Sequence, residues 1–578
     1  MAASPPSTRA PEGVPDSRGL NLFEADPSSR GLLDLHLGAE LSKHLLPHFV
    51  ELGALAGAEL DELALEADKN PSALDGQNIR KHPSYKKLEE FAFAKYGLAA
   101  MSHRGGVLGW PQAMPPSAKY ALSYLYVQAE FGVCCPLSMT DALTRTIRKF
   151  ADPALVARYL PGLTSQDMDT LVQGAMFMTE QQAGSDVGLI GTIAKKQGEQ
   201  WSLSGDKWFC SNADAGLALV LARPEGAPAG TAGLSLFLLP RTLPDGSPNR
   251  YRILRLKDKL GTRAMPSGEI KLEGALAFLV GDPQQGFKQM ADMINMSRLS
   301  NGMRAAGLMR RALTEALFVA RNREAFGKKL IELPLMRRQL LKLMLPTEAA
   351  RSVLFFTSGE LAKADAGDDL AKRRVRLLTP LIKFRACRDA RRVTGDAMEV
   401  RGGIGYTEEW SDPRLLRDAH LGSIWEGTSN IVALDVLRAI RREHCLEALL
   451  SALNERIKRS SPAIPRLLAA RLAASLDKAA EFAHETATTQ NEAHARQAAT
   501  GLYYACAAAL LADEGTQLGE RGDARRQLLS FLAYVHRLAP RDPLRRVTTG
   551  FEAEFAEALL PETPLAPDAV ERILTRLA

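Results

Sequence analysis

Cysteine is scarce in this chain, with six in 578 residues. They stand at Cys134, Cys135, Cys210, Cys387, Cys445 and Cys506. None forms a Cys-x-x-Cys pair, and the neighbours Cys134 and Cys135 cannot easily bridge. That pattern excludes a disulfide scaffold and a zinc ribbon, and predicts reduced thiols in a cytoplasmic protein. No uninterrupted apolar window reaches the length of a membrane helix. The first thirty residues lack an apolar h-region and carry Glu12, Asp16, Glu24 and Asp26, which argues against a secretory or transit signal. His44 and His48 have the spacing of a metal pair, but Pro47 interrupts them and no third ligand is evident, so no metal is expected. Neither a fixed repeat nor a Ser-His-Asp arrangement can be argued.

What is present is an ordinary globular balance, 46% hydrophobic and 24% charged. The chain is too long for one core, so several domains or layers are expected. The formal charge is +6. Residues 441–578 hold 18 lysines and arginines against 18 acidic residues, so the surplus lies in the first 440. A modest positive surplus suits a polyanionic small ligand better than it suits dedicated nucleic-acid binding.

Residues 1–30, rich in Pro, Ser, Ala and Gly, read as a flexible tail. From 31 to 170 the apolar spacing near 3.6, as in Leu60-Asp61-Glu62-Leu63 and Tyr120-Ala121-Leu122-Ser123-Tyr124, predicts helices. Between 171 and 285 the segments Ser202 to Phe209, Leu217 to Ala222, Leu234 to Leu239 and Gly268 to Leu272 read as strands, with turns at Glu225-Gly226 and Asp245-Gly246. From 286 to 440 helices return. Leu299, Met303, Ala306, Met309, Leu313, Leu317 and Ala320 form one apolar stripe. An Ala/Leu/Arg-rich helical block, 441–578, closes the chain. The class is α+β, with a helical, a small β and a second helical domain, then an appended helical one.

Five segments carry candidate chemistry. Met178-Thr179-Glu180-Gln181-Gln182-Ala183-Gly184-Ser185-Asp186 follows an apolar strand and ends in small residues that let a planar ring approach the backbone. In Lys207-Trp208-Phe209-Cys210-Ser211-Asn212 an aromatic can pack on such a ring and a hydroxyl can reach its edge. Arg323-Glu324-Ala325-Phe326-Gly327 ends the striped helix with an arginine able to grip a pyrophosphate. Glu399-Val400-Arg401-Gly402-Gly403-Ile404-Gly405 is a glycine turn after a helix, without the preceding strand of a nucleotide-binding fingerprint. Ile424-Trp425-Glu426-Gly427-Thr428-Ser429-Asn430 sets a carboxylate between a large aromatic and a glycine.

Together and in this order, these segments resemble the acyl-CoA dehydrogenase superfamily of flavoproteins. The stretches Asp206 to Phe209, Arg255 to Gly261, Ala397 to Tyr406 and Leu434 to Arg438, with the appended helices, are most similar to its AidB-like branch. The resemblance implies FAD as cofactor, an acyl-CoA as substrate and Glu426 as the base that removes the α-proton while hydride passes to flavin N5. It places Met178, Thr179, Gly184, Ser185, Phe209, Ser211, Thr428 and Asn430 at the FAD, Arg323 and Phe326 at the FAD of a neighbouring copy, and Glu399, Gly402 and Gly403 at FAD through its adenosine. Ser185, Asn295 and Arg298 fall beside the substrate. Phe209 occupies the family's tryptophan position, and Trp208 precedes it, so which aromatic touches the ring stays open. Glutamine is usual at Glu399 and leucine at Arg401. A homo-oligomer, built as a dimer of dimers, and an electron-transferring flavoprotein as acceptor are implied too.

Two functions follow. One is FAD-dependent α,β-desaturation of an acyl-CoA. The alternative is a flavin-bearing, DNA-binding protein of the response to alkylation, using Arg521, Arg525, Arg526, Arg537, Arg541, Arg545 and Arg546 as a basic stripe. Neutrality of the C-terminal block favours a solvated helix face over that stripe.

Overall fold

The computed structural model describes residues 13–198, 200–540 and 550–577. The first third is helical: α1 (Ser29–Leu37), α2 (Ala39–Ala56), α3 (Glu59–Lys69), α4 (Pro83–Glu89), α5 (Pro116–Tyr126), α6 (Cys134–Phe150) and α7 (Pro153–Leu163). A hairpin of β1 (Ala73–Asp75) and β2 (Asn78–Arg80) interrupts it. The middle sheet comprises β3 (Gly174–Phe177), β4 (Ile193–Gln197), β5 (Gln200–Ser211), β6 (Leu217–Pro224), β7 (Ser235–Pro240), β8 (Tyr251–Leu256) and β9 (Ser267–Val280). The pairings β6–β4–β5–β9–β7 return to β6, closing a ring, with β3 on β6 and β8 on β9. Among the described strands of this sheet, closure leaves β3 and β8 as those paired on one side alone, and β6 and β7 are buried almost throughout, as their unbroken apolar runs require.

The second helical unit begins with α8 (Gly286–Asn322), whose apolar stripe is fully buried. A hairpin of β10 (Glu324–Ala325) and β11 (Lys328–Lys329) leads to the long antiparallel pair α9 (Pro334–Asp365) and α10 (Asp369–Arg401). Then come α11 (Ser411–Gly422) and α12 (Ser429–Glu443). The appended helices are α13 (Cys445–Ser460), α14 (Arg466–Thr488), α15 (Ala495–Gly519), α16 (Arg525–Ala533), α17 (Gly550–Leu559) and α18 (Pro567–Leu577). Among the described residues no helix is long and apolar enough to cross a membrane.

The expected tail at 1–30 is a correction. Residues 1–12 lie outside the described residues, but from Gly13 on the segment is packed. Ser17 donates to the Glu315 carboxylate, and Phe23 stacks on Phe49 at 5.5 Å between centroids. Leu22 and Phe23 supply an apolar anchor that the bulk composition of the segment hides.

Asp26 also enters a buried charge cluster that ties the chain's two ends to its middle. Arg351 bonds Asp26 and Glu348. Arg310 donates to Glu562 at 2.9 Å. Arg526 donates to Glu348 at 2.6 Å, Glu514 at 2.7 Å and Ser352 at 2.6 Å. Among the described residues, the arginines of the alternative's basic stripe do not form one free face. Arg526 and Arg525 are buried, the latter on Asp523 and Ser28. Arg521 lies 3.7 Å from Asp34, and Arg537 sits over the Tyr504 ring. Arg541, Arg545 and Arg546 lie outside the described residues. Arginines that look free in sequence are consumed because the appended helices pack on the core rather than stand apart.

Candidate active site

Between α11 and α12 the chain makes the turn that carries Glu426. Glu426 has φ of 56° and Gly427 φ of 97°. For a residue with a Cβ this left-handed conformation is uncommon and must be held by its surroundings. Two buried cations hold it. Arg298 Nε of α8 donates to the Glu426 carbonyl at 3.2 Å, and Lys383 Nζ of α10 donates to the Gly427 carbonyl. Arg298 is in turn fixed by Asp435 of α12 at 2.5 Å, which Arg376 also grips at 2.8 Å.

Glu426 Oε2 is shielded from solvent and has no hydrogen-bond partner. Burial raises its pKa above the ordinary value, while Ser297, Arg298, Lys383 and Arg304 restrain the rise. The Ser297 hydroxyl is itself buried and makes no hydrogen bond of normal geometry. Trp425 stacks on Phe131 of the loop before α6 at 5.8 Å, with the Arg304 guanidinium 4.7 Å from its ring centre. This aromatic and cationic layer keeps water from one side of the carboxyl.

Thr179 and its neighbours form the rim contributed by the β-domain. The Thr179 carbonyl accepts from the Trp208 amide at 2.8 Å. Glu180 ties the same loop down through Gly191 N at 2.7 Å, Thr192 Oγ1 at 2.5 Å and Lys207 Nζ at 2.7 Å. Met178 and Thr179 are half-buried, Gly184 and Ser185 exposed, and a Cβ on Gly184 would meet open space. In β5 a bulge sets Trp208 and Phe209 against the single residue Glu269 of β9. Lys257 Nζ covers Trp208 at 3.4 Å from its ring centre, whereas Phe209 is 54% exposed. Phe209 is thus the more exposed of the two aromatics, with the same Lys257 Nζ 4.7 Å from its ring centre. Ser211 Oγ lies 3.5 Å from Ser267 Oγ.

A second group gathers at the far end of α8. Arg323 donates to the Arg401 carbonyl at 2.8 Å, beside Gly402. Phe326, in the β10–β11 turn with φ of 55°, is 92% exposed. Glu399 is exposed and accepts from Gln339 at 3.3 Å, and Gly403 is open. Arg401 is turned inward, donating to Asp412 at 2.9 Å and Glu315 at 2.6 Å. At about 1.5 Å per residue the helix separates Arg323 from Arg298 by ~37 Å, so the two groups are distinct places on the molecule. Thr428 and Asn430 are exposed at the start of α12.

Asn295, one turn before Arg298, lines a cleft of about 780 Å³ bounded by α6, α8, α9, α10 and α13. Six lysines and arginines face it against three carboxylates, with Met296, Leu361 and Val375 on its apolar side. Arg376 belongs to both the cleft and the Asp435–Arg298 link to Glu426.

Comparison with known proteins gives the same picture. Three family descriptions match in sequence order: "Adaptive response protein AidB N-terminal domain" over 13–170, "Acyl-CoA dehydrogenase, middle domain" over 175–275 and "Acyl-CoA dehydrogenase, C-terminal domain" over 284–441. The putative acyl-CoA dehydrogenase AidB of Escherichia coli (strain K12) is 36% identical over 419 residues, 70% of this chain and 73% of that one. The chain belongs to the acyl-CoA dehydrogenase family, in its AidB-like branch. Acyl-CoA dehydrogenase family member 11 of Caenorhabditis elegans is 32% identical, over 73% of this chain and 69% of its own. The crystal structure of Caenorhabditis elegans ACDH-11 in complex with C11-CoA superposes with a TM-score of 0.81 at 27% identity, covering 92% of this chain and 94% of that one. This dehydrogenase is accordingly an oxidoreductase with FAD as its cofactor. Its residues fit that group: an exposed Phe209, open glycines at 184 and 403, and an unpartnered carboxylate oxygen on Glu426.

Sequence reasoning missed Lys383, Ser297, Arg304 and Phe131. A signal existed for the cations: Lys383 interrupts the apolar run Leu381-Ile382-Lys383-Phe384, and Arg304 follows Met303 on the buried stripe. Charges at core positions are expensive and so mark a site or a structural pair.

Proposed function

We propose that this dehydrogenase desaturates an acyl-CoA between Cα and Cβ, with Glu426 as the base. The observation that carries the reading is the Glu426 carboxylate oxygen, buried without a partner. Such a group is destabilised as an anion and gains by taking a proton, which is what abstraction of a weakly acidic α-proton demands. Bound FAD supplies the acceptor for the hydride leaving Cβ. The protein orients the base through the two carbonyl clamps on Glu426 and Gly427, and Trp425 with Phe131 excludes water from it.

Met178, Thr179, Gly184, Ser185, Phe209, Ser211, Thr428 and Asn430 would hold the flavin of their own chain. Arg323, Phe326, Glu399, Gly402 and Gly403 would reach that of a second copy, a reading supported by the separation along α8 and by the unpartnered Phe326. A homo-oligomer, built as a dimer of dimers, would bring the two groups onto shared cofactors, with an electron-transferring flavoprotein taking the electrons. The cationic cleft beside Asn295 suits the phosphates of CoA and its apolar wall an alkyl portion. C11-CoA in the ACDH-11 structure supports a medium to long chain.

The test is anaerobic titration of the yellow protein with acyl-CoAs of graded chain length. Wild type loses its visible flavin absorbance, and Glu426→Gln retains FAD but does not bleach. Bleaching of Glu426→Gln at the wild-type rate would overturn the assignment. Because the base must be ionised, kcat/KM falls as pH drops through the raised pKa of Glu426.

A further inference from the structure

Lys383 is almost wholly buried on α10, and no carboxylate bonds its ammonium among the described residues. Its hydrogen bond is to the Gly427 carbonyl. An isolated ammonium is costly to bury, so a purely structural lysine would be paired or replaced by an apolar residue. The groups that face this one are few. On its own helix it meets Cys387, and from α8 and the base turn it meets Arg298 and Glu426. Glu426 in turn faces Ser297, Arg298 and Arg304 of α8, Lys383 of α10 and Cys135 of α6. Arg298 already has Asp435 as its counter-charge. Arg304 donates to Cys134 O at 2.8 Å and to Ser138 at 2.9 Å. Among the described residues Lys383 and Arg304 are thus the two buried cations beside Glu426 that no carboxylate pairs, and Lys383 is the one that also bonds the base turn.

We propose that Lys383 is a positioning residue of the base: its ammonium clamps the Gly427 carbonyl and biases Glu426 toward the ionised form that accepts the substrate proton. The inference rests on Glu426 being the base. Two consecutive carbonyls of a left-handed turn are held by two cations, and each cation also lies in the field of the side chain between them. The same contact thus shapes the turn and tunes its carboxyl. Burial brings Lys383 down to about 8, so its charge is present at neutral pH and is lost in mild alkali.

The sign follows from the charges. Lys383 in its cationic form lowers the pKa of Glu426, so removing the charge raises it. The experiment is pH-difference infrared spectroscopy of the purified FAD-loaded protein, following the protonated-carboxyl band that disappears in Glu426→Gln. Lys383→Met shifts the midpoint of that band upward by about one pH unit, a tenfold change in proton affinity. Lys383→Gln, which keeps a neutral donor to the Gly427 carbonyl, shifts it similarly, and Lys383→Arg restores it. Should Lys383→Met fail to fold, Lys383→Gln against Lys383→Arg carries the same comparison. The acid limb of kcat/KM moves with the band. Coincident titration of wild type with Lys383→Met or Lys383→Gln would overturn the proposal. The infrared midpoint needs no turnover, so a Glu426→Gln protein that still bleaches defeats the base assignment by a separate measurement.

Discussion

Replacing Arg526 by methionine tests whether the appended helices are bolted to the core by charge. The side chain is buried and forks onto Glu514 and Glu348, with Ser352 as a third partner. Burial alone would raise Glu514, yet Arg526, His36 and Ser352 hold it at about 2 against an ordinary 4.5. That depression corresponds to about 3 kcal/mol of folded-state stabilisation. Removing one partner of a buried pair costs about 3–5 kcal/mol by independent reckoning, because the abandoned carboxylates stay in place. Arg526→Met should therefore lose about 3 kcal/mol at neutral pH, read as a lower midpoint in guanidinium unfolding. The pH dependence sharpens the test. A depressed carboxylate stabilises fully above about 4.5 and progressively less as pH falls toward about 2, so this acid-sensitive component should shrink in the variant. A variant within about 0.5 kcal/mol of wild type, the range of ordinary surface substitutions, would refute the reasoning and return Arg526 to the solvent side.

Arg401→Leu restores the residue usual in the family but strips Asp412 and Glu315 of their shared cation, and should lower stability by about 3 kcal/mol in thermal unfolding. An unchanged unfolding curve would show that Arg401 is not structural. Phe326→Ser removes an exposed ring, so the fold should change by less than about 0.5 kcal/mol. The same variant should sediment as a smaller species and lose FAD on dilution; wild-type sedimentation with full FAD would sink the shared-cofactor reading.

Much of this architecture was legible along the chain, and the reasons are specific. The α8 stripe at Leu299, Met303 and Ala306 announced a helix buried on one face, and its middle from Ser297 to Leu317 is buried all round because it is central to the bundle. The strands around Leu217 and Leu234 were visible from their apolar runs between turns. Two things were not readable. Leu22 and Phe23 are only two apolar residues in a polar segment, and their value depends on Phe49 being opposite them. The fates of Arg525 and Arg526 depend on Asp523, Glu514 and Glu348, of which Glu348 is remote in sequence. At the site, Glu426 stood out through its flanking Trp425 and Gly427. Lys383 was marked only by its place in an apolar run; a single lysine in a helix usually reaches solvent, and the packing of α10 against the base turn turns this one inward. The bulge that separates Trp208 from Phe209 needs the β9 partner strand to be seen at all.

The cluster of Asp26, Arg310, Glu348, Arg351, Arg526 and Glu562 gathers residues from nearly the first and nearly the last stretch of the chain. A ribosome delivers these in order, so the set is complete only once Arg526 and Glu562 have emerged. A fragment cut after α12 keeps Asp26, Glu348, Arg310 and Arg351, two charges of each sign, but loses Arg526 and Glu562 and bares the buried surface on which the appended helices pack. Separate expression of the catalytic portion is thus expected to yield aggregates, whereas co-expression with the missing C-terminal piece should rescue it.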